Sequence, residues 1–450
     1  MAELRTIARH AGTVLVGQLA TMAFGVADTM IAGRYRTDAL AALSVGSAVY
    51  ISIFVALTGL VQAQLPAWAQ LRGAGREAEV GRSVRQALYL CLVASAAGIA
   101  VLRWPGPLLQ WAQVPPSLEG EVQAYLGILA LALPAALLFR GYSTLNQALG
   151  KPVLVTWLQT GALAVKVPLS IWLTFGGAGV PALGLAGCAW ATVIVQYLLL
   201  VLAIATIRFG SFYAPYRIWQ RIEPPDGATL RGFARLGVPT ALAVMVEVTS
   251  FTLMALFIAR LGSQASASHQ IAANLTAVLY MMPLSLGLAV SARVSYWLGS
   301  GDERQARQAL RLGYKLGLAL AASSAVLVLL GRHAIAHLYA GDKPEVVAAA
   351  GSLLLWGAAY HVADALQALS FFVLRSYGVA NRPLVVYCVL LWGVGLGGGY
   401  VLAYQGLGTL APMQSPAAFW AAGAFALAAT AATLFILLWR VVRSRRPSFA

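Results

Sequence analysis

Between Arg235 and Arg260 run 24 residues with a single ionisable side chain, Glu247, close to the middle. About 20 apolar residues at 1.5 Å each cross the hydrocarbon core of a bilayer, so this run predicts a transmembrane helix. A carboxylate at its centre costs about 2.5–3.5 kcal/mol on insertion scales. A group that expensive is expected to face a cavity or a partner and to mark an ion or substrate path. The plainer reading, a protonated Glu satisfied by a neighbouring helix, stands beside it.

The rest of the chain obeys the same constraint. Of its 450 residues, 60% are hydrophobic and 10% charged, more apolar surface than a water-soluble domain needs, which predicts a multi-spanning membrane protein. The net charge of +16 sits in short connections between apolar runs, so it reads as a topology signal rather than as a nucleic-acid surface. Cys91, Cys188 and Cys388 lie singly in apolar runs and fit neither a disulfide framework nor a metal site. The first apolar run opens directly into a repeat unit, so no cleavable leader is expected.

Hydropathy gives twelve spans, at 10–33, 44–68, 84–102, 122–148, 153–175, 183–207, 233–261, 267–297, 313–330, 346–374, 384–404 and 417–439. Connections on one side carry most of the Arg and Lys, among them Arg72, Arg76, Arg82, Arg85, Arg208, Arg217, Arg221, Arg304, Arg307, Arg311, Arg375 and Arg382, and the tail adds Arg440, Arg443, Arg445 and Arg446. The opposite connections hold only Arg34, Arg36, Arg103, Arg260, Arg332 and Lys343. The positive-inside rule therefore predicts cytoplasmic termini in a multi-pass protein of the inner (plasma) membrane.

The two halves repeat. An offset of 226 carries Leu4 to Leu230, Arg5 to Arg231, Arg9 to Arg235, Arg34 to Arg260, Gly73 to Gly299, Gly75 to Gly301, Glu77 to Glu303 and Arg85 to Arg311. Six spans per half give both halves the same orientation. The expected fold is all-α integral membrane, with twelve transmembrane helices in two six-helix lobes related by a pseudo-two-fold along the membrane normal. Residues 1–207 form the N-lobe, 208–232 a Pro-containing cytoplasmic linker, 233–441 the C-lobe and 442–450 a basic cytoplasmic tail. The turns at Gly73–Arg76 and Gly299–Asp302 lack the Lys-Ser/Thr ending of a phosphate loop, and read as tight cytoplasmic connections. Gly176 to Gly179 reads as an outer turn.

Of fifteen Asp and Glu, twelve lie in connections or at span ends, Asp342 among them. Asp28, Glu247 and Asp364 lie well inside spans. Desolvation favours the protonated form of a carboxyl and a nearby cation the ionised form, so such groups suit H⁺, a metal cation or a cationic substrate in exchange.

At these residues the chain resembles the multidrug and toxic compound extrusion transporters, nearest their bacterial NorM-type branch. Gly17-Gln18, Ala27-Asp28-Thr29 and Gly33 are similar to the family's opening. Gln70 with Gly73 to Arg76, then Gly81 and Arg85-Gln86, continue the likeness. Pro181, Gly184, Gly187-Cys188 and Ala191-Thr192 resemble its sixth span. His269-Gln270, Asn274, Met282-Pro283, Ser285 and Arg293-Val294 resemble its eighth. The likeness covers nearly the whole chain. It implies that Asp28 is the N-lobe acid of proton-driven substrate release, and that Glu247 and Asp364 form the C-lobe cation site with Tyr360, four residues before Asp364. Two departures stand in the fifth span, where Lys166 and Ser170 occupy positions expected to be Asn.

The function so implied is a secondary antiporter that exports small organic cations in exchange for inward H⁺ or Na⁺, by alternating access of two lobes. A lipid-linked precursor flippase of the wider superfamily is the alternative. No enzyme is expected, because no paired His, Asp-rich or Ser/Lys constellation is present. No cofactor is expected, and the protein is expected to work as a monomer in the bilayer. If the coupling ion is Na⁺, Glu247 and Asp364 would hold it, with Tyr360 at a matched position and Thr249, Ser250 and Ser285 as further oxygens. Lys166, Gln18, Asn274 and His361 are candidates for the substrate cavity or for coupling. His361, three residues before Asp364, is in register to share its proton or to pack as a neutral side chain. His269 is a helix-end hydrogen bonder or a site residue. Lys166 is expected to pair with Asp28, since helical rise puts them about 20 and 27 Å from the same side.

Overall fold

The computed structural model describes residues 2–111, 115–177, 179–341, 343–409 and 411–444. Asp342, Arg445, Arg446 and Ala178, used above in the charge count, the tail and the outer turn, lie outside the described residues. Among the described residues, twelve helices are long and apolar enough to cross a membrane. In order they are Ala2–Tyr35, Thr37–Gly73, Glu77–Arg103, Pro116–Ala148, Val153–Phe175, Leu185–Phe209, Gly227–Ala259, Ser263–Gly299, Glu303–Ala340, Pro344–Ser376, Asn381–Gln405 and Pro416–Ser444. They are called the first to twelfth spans below.

Every hydropathy run has its helix, and many helices overrun their runs. The ninth was expected over 313–330 and covers Glu303–Ala340. Hydropathy falls where the chain leaves the hydrocarbon core, whereas the i to i−4 hydrogen bonds continue. Arg304, Arg307 and Arg311 therefore lie on helical turns rather than in a connection. Arg85 and Arg375 depart further from the expectation, being 4% and 2% exposed. The Arg375 guanidinium lies over the Phe372 ring at 4.3 Å, where a loop residue was expected.

The repeat survives as geometry. Helices begin at Thr37 and Ser263, end at Gly73 and Gly299, and begin again at Glu77 and Glu303, all at the offset of 226. Between them Gly75 and Gly301 take φ of +70° and +79°, which glycine adopts without a Cβ penalty. Helices also begin at Pro116 and Pro344 and at Val153 and Asn381, an offset of 228, so a net two-residue difference lies between the starts of the third and fourth spans and their counterparts.

The eleventh span was expected to be an ordinary helix. It is wound as a π-helix over Cys388–Gly397 and Val401–Gln405. Five glycines, at 393, 395, 397, 398 and 399, lighten this stretch and remove side chains that would oppose a wider turn.

The chain packs as two compact units, Val16–Ala241 and Met1–Leu15 with Leu242–Ala450. The division falls inside the first and seventh spans, and segment 208–232 packs within the first unit. There, three side chains of the third span clasp it. Arg85 Nε donates to Glu223 at 2.7 Å and Arg85 Nη1 to the Arg217 carbonyl at 2.6 Å. Gln86 donates to the Pro224 carbonyl at 3.0 Å and accepts from the Asp226 N–H at 2.8 Å, and Tyr89 donates to the Glu223 carbonyl at 3.0 Å. The Arg85 guanidinium holds the Glu223 carboxyl down at about 2. In the second unit Glu3 accepts from Arg293 Nε at 2.8 Å and Nη2 at 2.7 Å, which ties the N-terminal turn to the eighth span.

Candidate functional site

Each unit holds a charged constellation built from several of its spans. In the first unit it is built by the first, fifth and sixth spans. Gly187 lets the sixth span approach the fifth closely, since a Cβ there would lie 2.5 Å from the Leu173 carbonyl carbon. That approach delivers the Cys188 carbonyl and, one turn on, Thr192 to the Lys166 ammonium.

Lys166 is fully buried, and Asp28 is 7% exposed. Lys166 Nζ donates to Asp28 Oδ1 at 2.7 Å, Asp28 Oδ2 at 2.8 Å and Thr192 Oγ1 at 2.8 Å. Ser170 Oγ lies 3.3 Å from both Lys166 Nζ and Asp28 Oδ1, and the Cys188 carbonyl 3.4 Å from the ammonium. The pairing expected from depth along the two helices is present. The two departures noted in the fifth span, Lys166 and Ser170, are the residues that contact Asp28. Gln18 is buried on the first span but lies ten residues before Asp28, about 15 Å away at helical rise, and is no part of this cluster.

In the second unit Glu247 of the seventh span and Asp364 of the tenth meet through a third side chain. Gln367 Nε2 donates to Asp364 Oδ1 at 2.9 Å and to Glu247 Oε1 at 3.3 Å. Gln367 Oε1 accepts from the Tyr387 hydroxyl of the eleventh span. The seventh span is pinned beside Glu247 by two bonds to the π-helical segment, Trp392 Nε1 to the Val246 carbonyl at 3.1 Å and Ser250 Oγ to the Leu391 carbonyl at 3.4 Å.

Tyr360 joins the site through its ring. It packs edge-on to Phe251 at 6.1 Å and to Trp420 at 5.7 Å between centroids. With Glu247, Ser250, Phe251, Leu391 and Gly395 it lines a small pocket. His269 accepts from Trp420 Nε1 at 3.2 Å, which is the hydrogen-bonding reading of that residue. His361 bonds Ser324 of the ninth span through Nε2 at 2.9 Å, so this nitrogen is turned away from Asp364. Asn274 is exposed and accepts from Gln270 at 3.0 Å, apart from the acids. Thr249 and Ser285 donate to carbonyls of their own helices, at 2.6 and 2.7 Å.

Sequence reasoning missed Gln367 and Tyr387. The signal was available for Gln367, because a polar residue three positions after Asp364 shares its helix face. Tyr387 gave no signal, since only the packing of the eleventh span against the tenth brings its hydroxyl to the site. No group of three or more His, Cys, Asp or Glu that could hold a metal ion occurs among the described residues.

The MatE family model matches residues 14–172 and 239–401. A probable multidrug resistance protein NorM of Aromatoleum aromaticum is 39% identical over 440 residues, covering 97% of this chain and 94% of its own. The multidrug resistance protein PmpM of Pseudomonas aeruginosa is 36% identical over 402 residues, covering 89% and 84%. The crystal structure of the Vibrio cholerae MATE transporter VcmN in the bent form superposes with a TM-score of 0.85 at 16% identity, covering 98% of both chains, a likeness of fold. A twelve-span, two-lobe fold, a family model matched in both halves and near-full-length NorM relatives agree: this chain belongs to the MatE family of multidrug and toxic compound extrusion transporters, on its NorM-like branch.

Proposed function

We propose that this protein is a secondary antiporter of the inner membrane that exports organic cations in exchange for inward H⁺ or Na⁺, by alternating access. The observation that carries the proposal is the pair of half-buried Glu247 and buried Asp364, joined by the one Gln367 amide. Two carboxyls held this way titrate as a coupled pair, and such a pair exchanges one monovalent cation at low cost. Tyr360 and Phe251 line the pocket beside Glu247 and offer ring faces to a flat cation. The relatives named multidrug resistance proteins point to drug-like cargo.

Asp28 has a different role in this reading. Its charge is matched by Lys166, so ion exchange falls to Glu247 and Asp364, and the Asp28 pair holds three spans of the first unit together. Cytoplasmic termini are supported by the excess of Arg on one set of connections.

The test is efflux of a fluorescent organic cation from energised vesicles, with imposed pH and Na⁺ gradients compared. Glu247→Gln and Asp364→Asn should each reduce gradient-driven efflux by about two orders of magnitude, the scale on which an essential ionisable group acts, while the protein stays inserted. Full efflux by either inserted variant would overturn the assignment.

A further inference from the structure

The Gln367 amide is fully buried and has one donor end and one acceptor end. The donor end faces both acids, and the acceptor end is taken by the Tyr387 hydroxyl. Tyr387 is 1% exposed, and its ring stacks on Phe371 at 5.3 Å with an interplanar angle of 25°. Since Phe371 lies one turn beyond Gln367 on the same helix, the tenth span fixes the tyrosine that fixes the amide.

This orientation discriminates between ions. A proton on one carboxyl leaves an oxygen on each acid free to accept from the amide. A metal cation between the acids needs oxygen ligands and would meet the two amide hydrogens instead. Turning the amide over would bring Oε1 to the cation but would leave the Tyr387 hydroxyl hydrogen without its acceptor. It would also place a third oxygen beside two carboxylates whenever the cation left. Three nearby hydroxyls hold their hydrogens on backbone carbonyls, Ser250 on Leu391, Thr249 on Met245 and Ser285 on Met281.

We propose that Gln367, held donor-first by Tyr387, is the residue that makes the Glu247–Asp364 site take a proton in preference to Na⁺. The proposal rests on the antiport reading above and names its coupling ion. Gln367 is a specificity-determining residue, and Tyr387 is the positioning residue that acts through it.

The experiment uses the full-length protein in proteoliposomes, with a fluorescent organic cation as cargo and either a pH gradient or a Na⁺ gradient imposed. Wild type should respond to the pH gradient and ignore Na⁺. Gln367→Glu keeps an oxygen for Tyr387 and gives the acids an oxygen in place of the donor. Its ratio of Na⁺-driven to proton-driven efflux should rise about tenfold or more, the scale of one hydrogen bond to a charged group. Na⁺, but not choline, should then raise its melting temperature in detergent, a readout independent of transport. Tyr387→Phe frees the amide to turn and should shift the ratio the same way, which keeps the test decisive if Gln367→Glu fails to fold. Wild-type efflux driven equally by Na⁺ overturns the ion choice and leaves antiport standing. An unchanged ratio in folded variants overturns the role of Gln367. Wild-type efflux driven by neither gradient overturns the antiport reading, and this proposal with it.

Discussion

Removing both charges of the Asp28–Lys166 pair should cost less than the sum of removing each alone. The ammonium has three hydrogens, and its three shortest contacts are the two Asp28 oxygens and Thr192. After Asp28→Asn it keeps Thr192 and the Cys188 carbonyl but has no countercharge. After Lys166→Met, Asp28 keeps only weak donors in this cluster, Ser170 Oγ at 3.3 Å and the Cys188 thiol. Breaking a buried pair by deleting one partner costs about 3–5 kcal/mol, and Lys166→Met belongs at the upper end because the carboxylate retains the poorer set. In Asp28→Asn with Lys166→Met no charge is left to bury. Its loss should fall short of the sum of the single losses by about 2–3 kcal/mol, a coupling at the top of the range for residues in direct contact. The assay is unfolding of the wild type, both single variants and the double variant in mixed micelles of fixed composition. Additive losses, or a Lys166→Met protein as stable as wild type, would refute the reasoning and leave Asp28 an independent charge.

Two further outcomes are expected. The Glu223 carboxyl sits at about 2 in the folded protein because Arg85 bonds it, against an ordinary value of 4.5. The clasp of segment 217–226 on the third span should therefore be at full strength above about pH 4.5 and weaken as pH falls towards about 2. Hydrogen exchange of that segment, corrected for intrinsic rate, should rise over this window in wild type and stay flat in Glu223→Gln; a flat wild-type profile would count against the clasp. Gly187→Ala puts a methyl group against the Leu173 carbonyl and should destabilise the protein by about 1–3 kcal/mol, with a lowered melting temperature; an unchanged one would show that the fifth and sixth spans need no such approach.

Much of this molecule was legible before any coordinates. The number of spans, the repeat and the three acids inside spans follow from local chemistry, because a bilayer admits only long apolar helices and penalises each charge inside them. Pairing of Lys166 with Asp28 was legible for the same reason, since helical rise converts sequence position into depth. The repeat also shows what it does not carry. At the offset of 226 Asp28 corresponds to Met254 and Glu247 to Thr21, so the scaffold is duplicated and the charged chemistry is not.

Other features were decided by tertiary structure alone. Depth along a helix says nothing of azimuth, so Asn274 and His361 were plausible site residues by position and face other partners, Gln270 and Ser324. Arg85 and Arg375 read as connection charges because hydropathy reports the solvent a residue prefers, not the length of the helix that carries it. Tyr387 enters the site only because the tenth and eleventh spans pack ring on ring at Phe371. The orientation of the Gln367 amide depends on that hydroxyl and on two acids from different spans. Sequence determines which polar groups the membrane must pay to bury; only packing between distant segments decides which of them meet, and which end of an amide faces a carboxylate.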